Sequence, residues 1–270
     1  MKRRKGGFTL VELLVSMAVL VLIVVITAQI VSSIMQVIGL STGHMDALTQ
    51  TNVAMNRLDT DLQRALWRQD LLPYAGNNTG NDAFCLYSGV PAYSGDRPLS
   101  LVAYRVQVSG SGTGTSPVLQ RGTIGSSWSA ASPAPVTFLT GTTATDASTG
   151  IQPADWQTIA PAVFRMEVVF IDRNTGGFKS KPSSVNWSDV NGMLVTMAAL
   201  DMQTRQMLGP NQATIMAKLA LELKDFDGTV PVPVPVDAQW QQVALLNPKI
   251  DGMPPAVQGK LRIVQRLYQW

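Results

Sequence analysis

Cysteine and histidine are almost absent from this chain of 270 residues, in which Cys85 is the only cysteine and His44 the only histidine. One cysteine excludes an intrachain disulfide, so cysteine usage says nothing about the compartment. One histidine excludes a zinc site with two histidines, and it leaves His44, just past a long apolar segment, as the only base for a Ser-His-Asp triad. We interpret His44 as a solvated side chain and Cys85 as a small packed residue.

Charged residues are also scarce, at 14% of the chain. The formal net charge is +3, but four of the 21 Lys and Arg residues lie at positions 2–5. Without these four, 17 basic side chains face 18 acidic ones, so the rest of the chain is nearly neutral and predicts no nucleic-acid partner. A basic group directly before an apolar segment indicates that this end stays in the cytoplasm.

The apolar segment is the most informative feature of the sequence. Residues 13–45 carry no charge, and residues 13–26 are almost wholly apolar. About 20 such residues span a bilayer, which predicts a transmembrane helix. A secretory signal would place its small-residue cleavage site after the apolar segment. Here Gly6 and Gly7 precede it, so a cut between Gly7 and Phe8 would remove the basic leader and retain the helix.

Glu12 interrupts the apolar character near the start of this helix. A carboxylate costs at least ~2.5 kcal/mol near the bilayer centre and needs a partner. In one interpretation it reaches the headgroups and the positive end of the helix dipole. In the other, cleavage makes Glu12 the fifth residue of the mature chain. It then pairs with the free α-amino group of Phe8 in a neighbouring subunit, which suits a filament.

Residues 7–15, GFTLVELLV, resemble the processing and assembly motif of type IV pilins and type II secretion pseudopilins. The resemblance implies that a prepilin peptidase cuts after Gly7, that Phe8 becomes an N-methylated terminus and that Glu12 guides subunit alignment. It also implies a single-pass protein of the bacterial inner membrane with its globular part in the periplasm or extruded in a filament. A plain signal anchor is the alternative interpretation.

The sequence divides into a cleaved leader (1–7), a transmembrane and filament-core helix (8–38), an amphipathic continuation (39–72) and a β-rich head (73–270). No proline precedes Pro73, so we expect one helix from Phe8 to about Arg68. The continuation has an apolar stripe at three- and four-residue spacing, which predicts its buried face. The stripe consists of Met55, Leu58, Leu62 and Leu66. The i,i+4 pair of Arg57 and Asp61 is assigned to other faces.

Alternating or apolar segments predict strands in the head at residues 99–108, 118–121, 163–171, 193–200 and 261–267. Segment 193–200 is apolar on both faces and is expected to be central. Residues 210–226 predict a short helix, 230–236 an extended Val-Pro spacer and 130–155 a surface excursion. The expected fold is α+β, a long N-terminal helix packed on an antiparallel sheet. The strands at Phe164 and Trp187, with those at Tyr104 and Arg121, are similar to the core of J-type minor pseudopilins and W-type minor pilins.

No group of residues predicts catalysis, a cofactor or a metal ion. The glycines at 110–114 lack the lysine and helix of a phosphate loop, and the acidic segments 172–176 and 225–228 are interpreted as turns. We therefore expect a non-enzymatic minor pilin-like subunit in a tip or initiation complex. Its expected partners are the prepilin peptidase, other pilin-like subunits and membrane lipid. A major pilin, and a binding or enzymatic domain on a pilin-like anchor, are the alternatives. The choice among secretion pseudopilus, pilus and DNA-uptake filament stays open.

Overall fold

The computed structural model describes residues 9–67, 74–78, 80–93, 99–109, 116–125, 151, 153–179, 189–226, 236–245, 253–254, 257 and 259–270, except for some side chains, including those of residues 36, 37, 39–42 and 44. The chain separates into two compact units, Met1–Gly43 and His44–Trp270. The backbone of the first helix, α1 (Leu10–Gln63), belongs to both units.

The second part of α1 supplies one wall of the core of the second unit. Met55, Leu58 and Leu62 are buried there, together with small residues one or two turns earlier. The predicted stripe is therefore observed, except that Leu66 lies beyond the helix and is half-buried.

The helix ends at Gln63, five residues before the predicted end. Beyond it the chain runs beside a strand, where the Leu66 N–H donates to Tyr87 O (2.9 Å) and the Gly89 N–H donates to Arg64 O (2.8 Å). These bonds to a distant strand satisfy backbone groups that would otherwise continue the helix, which is why local pattern did not reveal the end.

The first sheet contains five antiparallel strands in sequence order. They are β1 (Tyr74–Asn78), β2 (Asn81–Ser88), β3 (Ser100–Ser109), β4 (Ser116–Gly125) and β5 (Trp156–Ala160). The predicted pairing of the strands at Tyr104 and Arg121 is confirmed, because these two residues lie opposite one another. The expected surface excursion at 130–155 falls mostly outside the described residues.

The second sheet is antiparallel with the strand order β7-β6-β8-β9. Its strands are β6 (Val163–Asp172), β7 (Phe178–Lys179), β8 (Val190–Ala199) and β9 (Arg262–Gln269). The central position of β8 is confirmed. The alternation of apolar residues in segment 163–171 predicts one face shared by Phe164, Met166, Val168 and Phe170, and for Phe164 this prediction is wrong. The register shifts between Val163 and Arg165, and this irregularity places Phe164 in a different core cluster.

Among the described residues, three helices follow β8 in the chain: α2 (Met202–Gln206), α3 (Gln212–Glu222) and α4 (Val236–Leu245). The predicted helix at 210–226 is present, with Pro210 in a short 3₁₀ turn before it. The prediction of an extended spacer at 230–236 is wrong for its last residue, because Val236 begins α4. Residues 230–235 lie outside the described part. Trp240 of α4 is fully buried and its Nε1 donates to Lys224 O (2.9 Å). Burial of this large side chain explains why α4 forms there.

Three core clusters lie among the described residues. The first lies among α1, β2, β3, β6 and β8, and the second lies among β6, β8 and the α3 and α4 helices. The third lies on the opposite face of β2 and β3 and includes Cys85 and Leu101. All ten residues of β6 are buried, because this strand contributes side chains to the first and second clusters.

Candidate functional site

Glu12 lies in the first turn of α1 and caps the helix together with Thr9. The Thr9 backbone N–H and Thr9 Oγ1 both donate to Glu12 Oε2 (3.0 Å each), and the Glu12 N–H donates to Thr9 Oγ1 (3.2 Å). These reciprocal bonds form a capping box, in which two side chains satisfy backbone donors that a helix start leaves unpaired. The acidic side chain also lies at the positive end of the helix dipole.

Residues Leu10–Met35 of α1 are long and apolar enough to cross a membrane, with a mean hydropathy of 2.9 and no burial against other parts of the structure. Three of their hydroxyl groups are hydrogen-bonded within the helix. Ser16, Thr27 and Ser33 each donate to a backbone carbonyl three or four residues earlier, at 2.9–3.0 Å. Glu12 is the only charged residue in this span. The site is therefore one carboxylate at the end of an otherwise apolar helix.

The structure places one of the three predicted site residues. Gly7 and Phe8 lie outside the described residues, so their predicted roles stay predictions, as does the assembly role of Glu12. The sequence reasoning missed Thr9. Its signal was the Thr-x-x-Glu spacing of Thr9 and Glu12, which is the sequence pattern of a capping box.

The prediction that Asp61 lies on an outer face of α1 is wrong. It is fully buried and binds Arg121 of β4 in a bidentate pair, with Oδ2 at 2.6 Å from Nε and Oδ1 at 3.0 Å from Nη2. Tyr104 of β3 also donates its hydroxyl to Asp61. Arg57, the predicted partner, is more distant at 3.8 Å. The group joins α1 to the first sheet.

A second buried ionic group links β6 to the segment after α3. Arg165 binds Glu167 (3.2 Å), Asp225 and the carbonyl of Leu223 (3.2 Å). The Phe226 N–H donates to Glu167 Oε1 (2.9 Å). Asp225 and Phe226, interpreted as parts of a plain turn, therefore anchor this segment to the sheet. Burial, then the negative charge of Asp82, raises the pKa of Glu167 to about 8.

Of the other residues considered for chemistry, Cys85 and Asp172 have side chains that the structure describes. Cys85 is buried in β2, and the side chain of His44 lies outside the described part. Asp172 accepts from the N–H groups of Asn174 (2.7 Å) and Thr175 (3.1 Å), which forms the predicted turn before β7. Within the described ranges, no three His, Cys, Asp or Glu side chains are placed to hold a metal ion.

Comparison with known proteins identifies the N-terminal segment. The family model of the prokaryotic N-terminal methylation motif matches residues 2–28, a range that includes Gly7, Phe8 and Glu12. A solved type IV-like pilin from Thermus thermophilus matches with 10% identity and a TM-score of 0.38, covering 82% of this chain and 93% of that chain. No curated protein matches the chain.

Proposed function

We propose that this chain, a protein of the type IV pilin and pseudopilin family, is a minor pilin-like subunit that assembles with other such subunits after removal of its leader. The observation that carries the proposal is the position of Glu12, the single charge in the span Leu10–Met35, five residues after Gly7 in a matched methylation motif. A buried carboxylate in lipid requires a partner, and the α-amino group of a neighbouring Phe8 would neutralise it.

In this proposal the chain is anchored in the inner membrane by α1 and exposes its head to the periplasm. Its role is structural and not enzymatic, in a type II secretion pseudopilus or a type IV pilus. The minor role is favoured over that of a major pilin because 270 residues with a large head of low charge are bulky for a repeating subunit.

The processing step is tested by N-terminal mass spectrometry of the protein extracted from membranes. We expect a chain that begins at Phe8 and carries an N-methyl group. Gly7→Glu should block cleavage, because it places a bulky charged side chain at the scissile bond, and Gly7→Ala is the matched control that should be processed. A mature pool that keeps residues 1–7, or a cut near Ala28, would refute the proposal.

The role of Glu12 is tested by separating its charge from its cap. Glu12→Gln keeps a side chain able to cap but removes the charge, whereas Thr9→Ala weakens the cap and keeps the carboxylate. If the charge serves assembly, Glu12→Gln should abolish crosslinking to partner subunits without reducing membrane insertion, and Thr9→Ala should crosslink nearly as wild type. The reverse result would show that Glu12 only starts the helix.

A further inference from the structure

Arg165, fully buried in β6, has one nitrogen with more acceptors around it than it has hydrogens. This nitrogen, Nη2, carries two hydrogens. Three acceptors lie within hydrogen-bonding distance of it: Glu167 Oε2 (3.2 Å), the carbonyl of Leu223 (3.2 Å) and Oδ1 of Asp225. These acceptors therefore compete, and a stronger bond to one of them weakens the bond to another.

The two carboxylates in this competition differ in their access to water. Glu167 is 2% exposed, whereas Asp225 is 42% exposed. An ionised carboxylate that is buried depends on its partners, because it has lost its hydration. An exposed carboxylate regains its hydration when it leaves a partner. Asp225 is therefore the acceptor that Arg165 can lose at the lower cost in free energy.

The charged groups that act on Glu167 come from three parts of the chain. Burial raises the pKa of Glu167 to about 8, and the negative charges of Asp82 in β2 and Asp225 after α3 act in the same direction. The positive charge of Arg165 in β6 opposes them. From β8, the residue opposite Glu167 is the uncharged Thr196. Ionisation of Glu167 would thus place three carboxylates near one guanidinium.

The same side chains hold residues 223–226, here named the strap, on β6. The Phe226 N–H donates to Glu167 Oε1 (2.9 Å), and two acceptors of the strap bind Arg165. Trp240 of α4 adds a contact without charge, because its Nε1 donates to a backbone carbonyl of the strap (2.9 Å). The attachment of the strap therefore depends on how Arg165 is shared between the two carboxylates.

We propose that protonated Glu167 keeps the strap on β6 and that ionised Glu167 lets the strap open. When Glu167 is protonated, Arg165 bonds mainly to Asp225, and Glu167 Oε1 still accepts from the strap. When Glu167 releases its proton to water, its carboxylate binds Arg165 more strongly and displaces Asp225. The closed state binds the proton more tightly, so a rise in pH favours opening. Opening would expose the buried side chain of Phe226.

The test is amide hydrogen exchange of the full chain in detergent micelles at pH 6 and pH 9, corrected for the intrinsic exchange rate at each pH. The Phe226 amide reports on the strap. The Leu200 amide, which donates to Ala162 O (2.9 Å), reports on unfolding of the head. We expect protection at Phe226 to fall about tenfold for each unit by which opening lowers the pKa of Glu167. Protection at Leu200 should fall less.

Two variants and one control distinguish the competition for Arg165 from the loss of a contact. Glu167→Gln is uncharged at both pH values, so protection at Phe226 should be the same at pH 6 and pH 9. Asp225→Asn weakens the bond to Arg165 and should lower protection at pH 6, but it removes a competing charge, so the fall with pH should be smaller. Glu222→Gln, at the exposed end of α3, is the matched control and should keep the wild-type fall.

Three results would overturn the proposal: constant protection at Phe226 in the wild type, an equal fall at Phe226 and Leu200, or a wild-type fall in Glu167→Gln. If Glu167→Gln does not fold, Asp225→Asn decides, because its side chain is partly exposed, and an undiminished fall in that variant would refute the competition. None of these measurements involves Glu12 or assembly, so the proposed function is judged separately.

Discussion

At the scale of single residues, burial determines the direction in which the pKa of Glu167 shifts. Glu167 is 2% exposed, beside Arg165 and near Asp82 and Asp225. One guanidinium thus lies among several carboxylates. Burial disfavours the charged form of a carboxylate, and further negative charges add to the effect, so the folded protein favours the protonated form of Glu167 more than the unfolded chain does.

The raised pKa of Glu167 makes the stability of the protein depend on pH. The pKa of Glu167 rises from 4.5 to about 8 on folding, so the folded state binds the proton more tightly and unfolding releases it. Its contribution is fully present below pH 4.5 and is lost as pH rises toward 8, by at most roughly 5 kcal/mol. Glu167→Gln mimics the protonated form. We expect this variant to be more stable than wild type at pH 8. Its free energy of unfolding should also decrease less as the pH rises, as measured by urea unfolding at several pH values.

Asp61 gives the second prediction at this scale. Breaking a buried ion pair from one side leaves an uncompensated charge, so Asp61→Ala should lower the free energy of unfolding by about 3–5 kcal/mol. Asp61→Leu combined with Arg121→Met should cost less than Asp61→Ala, since no charge is left unpaired. Asp59→Ala, two residues earlier and half-exposed, is the control and should cost less than about 1 kcal/mol. Equal losses at positions 59 and 61 would refute this account of the pair.

At the scale of elements, the sequence predicted those whose pattern is local. The β3–β4 pair, the central β8 and the stripe of α1 follow from the spacing of apolar residues. What it could not predict depends on distant partners. Asp61 is buried because Arg121, sixty residues away, compensates its charge. The helix ends at Gln63 because the backbone groups that follow it form hydrogen bonds with Tyr87 and Gly89. The cap formed by Thr9 and Glu12, by contrast, is predictable from their Thr-x-x-Glu spacing.

The close approach of β8 and β9 makes Gly192 a test of this pairing. A Cβ added at Gly192 would lie 2.4 Å from the backbone oxygen of Tyr268, so Gly192→Ala must push the two strands apart. We expect the free energy of unfolding to fall by about 1–3 kcal/mol, the usual cost of overpacking, and the melting temperature to fall with it. A Cβ at Gly89 meets its nearest atom at 3.6 Å, an ordinary contact, so Gly89→Ala is the matched control. Equal melting temperatures for both variants would contradict the predicted strain.

At the scale of the whole molecule, the two units differ in what stabilises them. The part of α1 in the second unit is an integral piece of its core. Ala54, Met55 and Leu58 are buried, Gln50 Oε1 accepts from the Ala162 N–H (2.9 Å), and the Tyr268 hydroxyl donates to Met55 O (2.9 Å). The apolar residues of Leu10–Met35, by contrast, are not buried.

This difference predicts which N-terminal truncations of the chain still fold. A fragment of residues 44–270 keeps every residue of α1 that is buried in the described part of the structure, so it should be soluble, show an α+β circular dichroism spectrum and unfold cooperatively. A matched fragment of residues 59–270 loses Met55 and Leu58, at about 1.5–3 kcal/mol each, and also uncovers the core residues they contact. With total stabilities of about 5–15 kcal/mol, that loss should abolish cooperative unfolding.

Thermal melts compare the two fragments, and sedimentation of the longer one should show a monomer. If both fragments melted alike, α1 would not be part of the core; a stable homopolymer of the longer fragment would instead favour a major pilin.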